Sequence, residues 1–176
     1  MLQRLRLRLA APTTPWILAA LACLAYAPSL WSGWAADDFL HAAVLDDPTA
    51  SAASMFDAGQ LERSRPWWTD PQWRASFLRP LTVLTHQLDH LLWPASPWAM
   101  HLVSLAWYAA LVLAVGALLR ALGQPRWAMI LALWMFALDD AHAPAVSWIA
   151  ARGSILAATF GTVALTLHIR ARRRAR

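Results

Sequence analysis

The chain contains no lysine and a single cysteine, and only 14% of its 176 residues are charged. Soluble globular domains carry about 25% charged residues, so this composition, with 59% hydrophobic residues, excludes an ordinary soluble domain and indicates a polytopic membrane protein. The lone Cys23 excludes both an intramolecular disulfide and a zinc site built from cysteines. A formal net charge of +5 raises the question of a nucleic-acid partner. The placement of the basic residues argues against one.

All fifteen basic residues are arginines, and ten of them flank the apolar segments. These ten are Arg4, Arg6, Arg8, Arg120, Arg126, Arg170, Arg172, Arg173, Arg174 and Arg176. All ten acidic residues fall in the two segments between those arginine groups. Because basic residues near membrane spans stay on the cytoplasmic side, we expect both termini in the cytoplasm and every acid on the outer side.

The apolar segments predict an all-α membrane protein with about four transmembrane helices, since about 20 apolar residues cross the hydrocarbon layer. The predicted order is a basic N-terminus at 1–14, a first transmembrane helix at 15–31, an outer loop at 32–97, a second transmembrane helix at 98–122, a third with a short outer loop at 126–144, a fourth at 147–169 and a basic tail at 170–176. The first span also has the basic start of a signal peptide. We interpret it as an uncleaved anchor because further spans follow.

The outer loop contains a segment with helical periodicity, FLRPLTVLTHQLDHLLW, near 77–93. Its apolar stripe consists of Leu81, Leu84, Leu88, Leu91 and Leu92, and the opposite side carries Thr85, Gln87 and Asp89. Such an amphipathic helix can lie in the membrane interface. We expect its polar residues, including His86 and His90, to form a solvated face.

Three groups on the predicted outer side combine carboxylates with imidazoles. They are Asp37, Asp38 and His41; His86, Asp89 and His90; and Asp139, Asp140 and His142. Each fits a divalent cation, with Asp38 and His41 the first candidates for ligands, or a proton transfer. The alternative for Asp37 and Asp38 is to cap a helix that begins at Phe39. Asp139 and Asp140 follow a short apolar run, and acids below the membrane surface tend to be functional.

Five arginines lie on the side where basic residues are disfavoured, and Arg79 and Arg152 stand out among them. Because the planar guanidinium binds phosphate through paired hydrogen bonds, either can hold a lipid phosphate. The alternatives are that Arg79 extends to the lipid head groups and that Arg152 pairs with Asp139 or Asp140. Three loop tryptophans, Trp67, Trp68 and Trp73, can stack on a sugar or pack the loop onto itself.

The order of these motifs resembles the N-terminal membrane module of the GT-C glycosyltransferases, which include protein O-mannosyltransferases and aminoarabinose transferases. The resemblance rests on the acidic pair that opens the outer loop, on FLRPLT, on PWAMHLVSLAWYA and on ALDDAHAPAVSWIAARGSILAATFG. It is nearest to bacterial members and to transmembrane TPR-type O-mannosyltransferases, and it covers residues 15–169. The resemblance implies a bacterial inner membrane location and a polyprenyl-phosphate sugar donor.

The resemblance also implies residue roles. Asp37 corresponds to the general base toward the acceptor hydroxyl, and Asp38 to a second acid that is often Glu in relatives. Asp139, Asp140 and His142 match a second outer motif, followed by Trp148 and Arg152, and a cation such as Arg79 or Arg152 is expected at the donor phosphate. GT-C enzymes have many more transmembrane spans than the four expected here. The resemblance therefore implies a partial module that further transmembrane helices or a partner subunit complete. The alternatives are a non-catalytic membrane scaffold that binds lipid head groups and a metal-binding protein.

Overall fold

The computed structural model describes residues 14–56, 67–68, 70 and 77–175. These residues form helices and connecting turns, and none of them lies in a strand. The α-helices are α1 Thr14–Tyr26, α2 Asp37–Asp46, α3 Pro80–Leu92, α4 Pro97–Ala121, α5 Arg126–Ala137, α6 Ala143–Ser147 and α7 Arg152–Arg174. Between them, the described part of the chain also forms 3-10 helices at Ala27–Trp31, Ala52–Phe56, Asp140–His142 and Ile149–Ala151. The predicted all-α fold is confirmed.

The long helix α4 is the centre of the bundle, and α1, α5 and α7 pack around it. Tyr108 and Val112 of α4 are fully buried in the apolar core. A Cβ atom at Gly116 would lie 3.2 Å from Leu133 of α5 and 3.5 Å from Pro15 of α1. The glycine therefore lets two neighbouring helices approach the central one closely, as small residues do in membrane bundles.

Among the described residues, three helical segments are long and apolar enough to cross a membrane: Thr14–Trp31, Pro97–Ala121 and Ile149–Arg174. The third apolar segment of the sequence, expected at 126–144, forms α5 and then a short helical stretch, Asp140–Ser147. The axes of α5 and this stretch differ by 46°. If α5 and Asp140–Ser147 are counted together as one broken span, they form a fourth span. The break falls at Leu138 and Asp139, where the apolar run meets the first acid.

The two ends of the bundle carry opposite charges. We call the end with Asp38, Asp89 and Asp139 the acidic end, because α7 begins there beside Asp89 and α5 ends there before Asp139. We call the other end the basic end. There a Cβ atom at Gly123 would lie 3.5 Å from the guanidinium of Arg173.

The outer-loop helix α3 is amphipathic as predicted, but the expected orientation of its polar face is wrong. Thr82, His86 and Asp89 are buried against the bundle. The members of the leucine stripe, by contrast, are at least half exposed. Hydrocarbon solvates leucine well, whereas polar groups in a membrane need protein partners, so this helix places its polar side inward.

Candidate functional site

The turn that introduces α2 has an uncommon backbone conformation. Ala36 has a φ of 45°, in the left-handed region that residues with a side chain rarely adopt. The indole nitrogen of Trp148 donates a hydrogen bond to the Ala35 carbonyl at 3.1 Å and holds this turn from the opposite segment. Helix α2 then begins at Asp37 rather than Phe39. Both acids therefore belong to its first turn.

Asp38 is a structural residue of this turn. It is buried, and its two carboxylate oxygens accept hydrogen bonds from the backbone N–H groups of Ala35 at 2.9 Å and Ala150 at 2.7 Å. Burial raises the pKa of the Asp38 carboxyl, while the two N–H groups and nearby His101 act in the opposite direction. Asp38 thus joins the start of α2 to the segment that precedes α7.

Asp37, by contrast, is exposed and lines a cavity of about 350 Å³ at the acidic end. Small-molecule sites occupy about 300–1,000 Å³. The cavity is lined by Asp37, Leu40, His41, Met55, Phe56, Phe77, Arg79, Trp148, Ala150, Ala151 and Ser154. It therefore combines a carboxylate, an imidazole, a guanidinium and a hydroxyl with aromatic walls.

Arg79 supplies the positive charge of this cavity. Its guanidinium carbon lies 5.0 Å from the centroid of Phe56 and 5.2 Å from that of Phe77, at cation–π distance. Within the part of the chain that the structure describes, no carboxylate forms an ion pair with Arg79. The aromatic rings therefore orient a guanidinium whose charge those carboxylates do not neutralise.

Arg152 has the opposite environment. It is fully buried, and it donates hydrogen bonds from Nε to the Ser104 hydroxyl, from Nη1 to Asp89 and from Nη2 to the Met100 carbonyl. The alternative of an ion pair with Asp139 or Asp140 is wrong, since the partner is Asp89 on α3. Burial raises the pKa of Asp89, and Arg152 opposes that shift. Arg152 ties α3, α4 and α7 together and does not line the cavity.

The second predicted motif lies apart from the cavity of Asp37. Asp139 accepts a hydrogen bond from the N–H of Ala141 at 3.0 Å, and its own carbonyl accepts one from the Tyr26 hydroxyl. The ring of His142 packs against Phe136 with a centroid distance of 4.6 Å. Neither these two residues nor Asp140 lines the cavity. The structure therefore brings Asp37 and Arg79 together, and leaves this motif beside α1.

His41 lies one turn after Asp37 on α2 and lines the same cavity. On its other side its ring is 5.4 Å from that of His86. Burial lowers the pKa of His41, and it lowers the pKa of His86 to about 3, with Arg152 adding to the second effect. Both imidazoles are therefore neutral at pH 7. Among the described side chains, no group of three or more His, Cys, Asp or Glu is placed to hold a metal ion, and both oxygens of Asp38 already accept hydrogen bonds.

Sequence reasoning missed several contributions to this region. Trp148, which the sequence gives only as a residue that follows the second motif, fixes the Ala35 turn and lines the cavity with Ser154. The burial of Asp89 had a sequence signal, because Thr82, His86 and Asp89 recur at helical spacing on one side of α3. Of the loop tryptophans, Trp67 and Trp68 are exposed and meet edge to face at 5.6 Å. Trp73 lies outside the described residues.

Comparison with known proteins gives one informative similarity. The chain is 27% identical over 151 residues to a mouse (Mus musculus) protein named Protein O-mannosyl-transferase TMTC3, an alignment that includes 82% of this chain. It spans only 15% of the length of that relative. No protein-family model matches the chain, and no solved structure matches it. The name of this relative is that of a glycosyltransferase, which is the class of enzyme that the order of motifs in the sequence resembles.

Proposed function

We propose that the protein is a GT-C-type glycosyltransferase module that transfers a sugar from a polyprenyl-phosphate donor to an acceptor hydroxyl at its acidic end. The observation that carries the proposal is the shared cavity of Asp37 and Arg79, which come from segments 42 positions apart. The similarity to an O-mannosyl-transferase supports the reaction class. In this proposal the acidic end is external, both termini are cytoplasmic and the membrane is a bacterial inner membrane.

Asp37 is the general base of the proposed reaction. Its carboxylate takes the proton of the acceptor hydroxyl as the hydroxyl oxygen forms a bond to the anomeric carbon of the donor sugar. Its neighbour Asp38 cannot easily take that role, because both of its oxygens accept backbone hydrogen bonds. Asp38 instead fixes the turn from which Asp37 reaches the cavity. His41 lies one turn from Asp37, and because its imidazole is neutral it adds no positive charge beside the Asp37 carboxylate.

Arg79 stabilises the leaving group of the proposed reaction. As the new glycosidic bond forms, the bond between the anomeric carbon and the phosphate oxygen breaks, and the electron pair leaves with the lipid phosphate. A guanidinium placed where that charge develops lowers the barrier. Trp148 and the neighbouring phenylalanines offer flat apolar surfaces to the C–H face of a sugar. Arg152 contributes indirectly, by joining α3, which begins directly after Arg79, to α7, which carries Ser154 of the cavity lining.

The proposed module acts together with further transmembrane helices or a partner subunit. The relative is much longer than this chain, and the activity in its name belongs to the whole protein. A divalent cation is not required by the proposed step, and adding EDTA to the assay tests this directly. We expect turnover of lipid-linked sugar to persist after chelation.

The decisive experiment replaces Asp37 with Asn in the full chain and measures the turnover of lipid-linked sugar in membranes. General-base catalysis contributes about 10²–10⁴-fold, so we expect a loss in that range while insertion is unchanged. The matched control is Asp46→Asn, an exposed acid on the same helix that does not line the cavity. Unchanged turnover in Asp37→Asn would rule out the base and favour a non-catalytic protein that binds lipid head groups.

A further inference from the structure

Helix α2, which carries Asp37, rests on two short segments and on α3. Among the described residues its main contacts are with the 3-10 helices Ala52–Phe56 and Ile149–Ala151 and with α3. His41 and Leu45 lie one turn apart on the same side of α2, and both line a small cavity beneath the helix. The groups around this cavity therefore help to determine where Asp37 lies.

Two imidazoles meet where α2 packs on α3. The ring centroids of His41 and His86 are 5.4 Å apart, and the two side chains are only 6% and 4% exposed. Phe56 packs against both rings, with centroid distances of 4.8 Å to His41 and 6.5 Å to His86. We call His41 and His86 the histidine junction. It joins the two helices in a place that is closed to bulk solvent.

Each ring of the histidine junction has one buried nitrogen with no hydrogen-bond partner among the described protein atoms. These nitrogens are Nδ1 of His41 and Nε2 of His86. Both residues line the same cavity, which has a volume of about 20 Å³. A single water needs about 10–15 Å³ of such space and at least two polar partners. The cavity therefore has the room and the partners for one water.

The other charged or titratable residues that line this cavity, Asp38 and His90, already have partners. Both oxygens of Asp38 accept backbone hydrogen bonds, and the His90 ring lies 3.4 Å from Asp46. A water in the cavity thus finds its free partners at the two imidazole nitrogens. The positive charges of Arg79 and Arg152 act on the two rings and disfavour a cation in the same space.

We propose that one buried water links Nδ1 of His41 to Nε2 of His86, and that this link makes the two histidines positioning residues for α2 and Asp37. Water suits any tautomer of the two rings, because it both donates and accepts hydrogen bonds. The proposal deepens the proposed function by naming the residues that hold its general base. It rests on that function only for the role of Asp37.

The test measures how firmly α2 is held, in the full chain in phosphatidylcholine nanodiscs at pH 7.5. Hydrogen–deuterium exchange gives the protection factors of the α2 amides, and the α4 amides of the same molecule report on the whole bundle. Leucine is apolar and offers no hydrogen bond. We expect His41→Leu and His86→Leu each to lower α2 protection about tenfold, since either change leaves the other ring without its link.

The two substitutions are then combined in a double variant. If both rings bind the same water, the double variant should lose about as much protection as each single variant, because the shared link is already broken. Independent hydrogen bonds would multiply to a loss of about a hundredfold, and that result would overturn the shared water. The matched control is His90→Leu, which removes an imidazole from the same cavity with its own partner Asp46. Its effect should multiply with that of His41→Leu.

Rescue separates the hydrogen-bonded link from packing. His86→Gln offers an amide that can bind the water, and it should return α2 protection to near the wild-type value. Leucine variants that protect α2 as well as the wild-type protein would overturn the proposal. If a leucine variant also lowers α4 protection, the cycle is repeated with His41→Met and His86→Met. Asp37→Asn should leave α2 protection unchanged, so the water link and the general base are tested independently.

Discussion

Asp37 and Asp38 are neighbours on the first turn of α2, yet their surroundings differ in every respect that matters for function. Asp38 is 4% exposed and binds two backbone N–H groups, one of them 112 positions away at Ala150. Asp37 is exposed to a cavity that also receives Arg79. The same contrast separates Arg152 from Arg79. Arg152 donates hydrogen bonds to three buried acceptors, whereas none of the described carboxylates pairs with Arg79. Asp38 and Arg152 with their partners form what we call the frame, and Asp37 and Arg79 line the cavity.

The largest expected effect on stability comes from breaking the frame at its buried ion pair. Asp89→Ala leaves the Arg152 guanidinium without its carboxylate, and we expect the free energy of unfolding to fall by about 3–5 kcal/mol. Denaturant titration of the purified protein in detergent measures this. The double variant Asp89→Leu with Arg152→Met removes both charges and should recover most of the loss. A wild-type midpoint in Asp89→Ala would contradict the structural role of the pair.

Asp38→Asn tests the second part of the frame. The amide keeps one acceptor oxygen but turns an NH₂ group toward a backbone N–H, so one charge-assisted hydrogen bond is lost. We expect the free energy of unfolding to fall by about 1.5–3 kcal/mol. The adjacent Asp37→Asn is the matched control and should change stability by less than about 0.5 kcal/mol. Equal effects of the two variants would remove the distinction between them.

Acidification should weaken the frame through His86. Its pKa in the folded protein is about 3 against an ordinary value of 6.5, so between these values the unfolded chain binds the extra proton. Stability is therefore full above pH 6.5 and falls as the pH is lowered, by about 2 kcal/mol at pH 5 for this group. Unfolding in detergent at pH 7.5 and pH 5 measures the difference. In His86→Gln the difference should shrink by that amount; an unchanged pH dependence would contradict the assignment.

The smallest expected effect comes from the indole hydrogen bond that supports the Ala36 turn. Trp148→Phe keeps an aromatic wall in the cavity and removes the donor to the Ala35 carbonyl, which should lower the free energy of unfolding by about 1 kcal/mol. Trp127→Phe, an exposed residue at the start of α5, is the control. A loss of the same size in both variants would mean that the hydrogen bond does not contribute.

Much of the fold could be predicted from the sequence, because apolar runs of sufficient length have few alternatives in a membrane. The periodicity of 77–93 likewise predicts the helix Pro80–Leu92. Its orientation could not be inferred from a rule derived in water, since the leucines here are exposed and Asp89 is buried beside Arg152. That pair joins residues 63 positions apart, a separation that no local pattern reveals.

The candidate site was predictable only as a set of residue types. The sequence singled out Asp37, Asp38, Arg79 and Arg152 as chemically suited to the reaction. The resemblance assigns the base to Asp37, but composition and spacing alone distinguish neither the two acids nor these two arginines. The distinction depends on which side chains find buried partners, and those partners, Ala150 and Asp89, come from distant segments. The motif of Asp139 shows the same limit. The sequence assigns it to the same side of the membrane and the same reaction as Asp37, but its contacts place it beside Tyr26.

The central claim is that Asp37 performs chemistry while Asp38 holds the structure. The most direct measurement is the turnover of lipid-linked sugar per folded molecule in Asp37→Asn, with the unfolding midpoint recorded on the same preparation. The account predicts a loss of turnover of about 10²–10⁴-fold at an unchanged midpoint. Turnover equal to that of the wild-type protein at the same midpoint would contradict it.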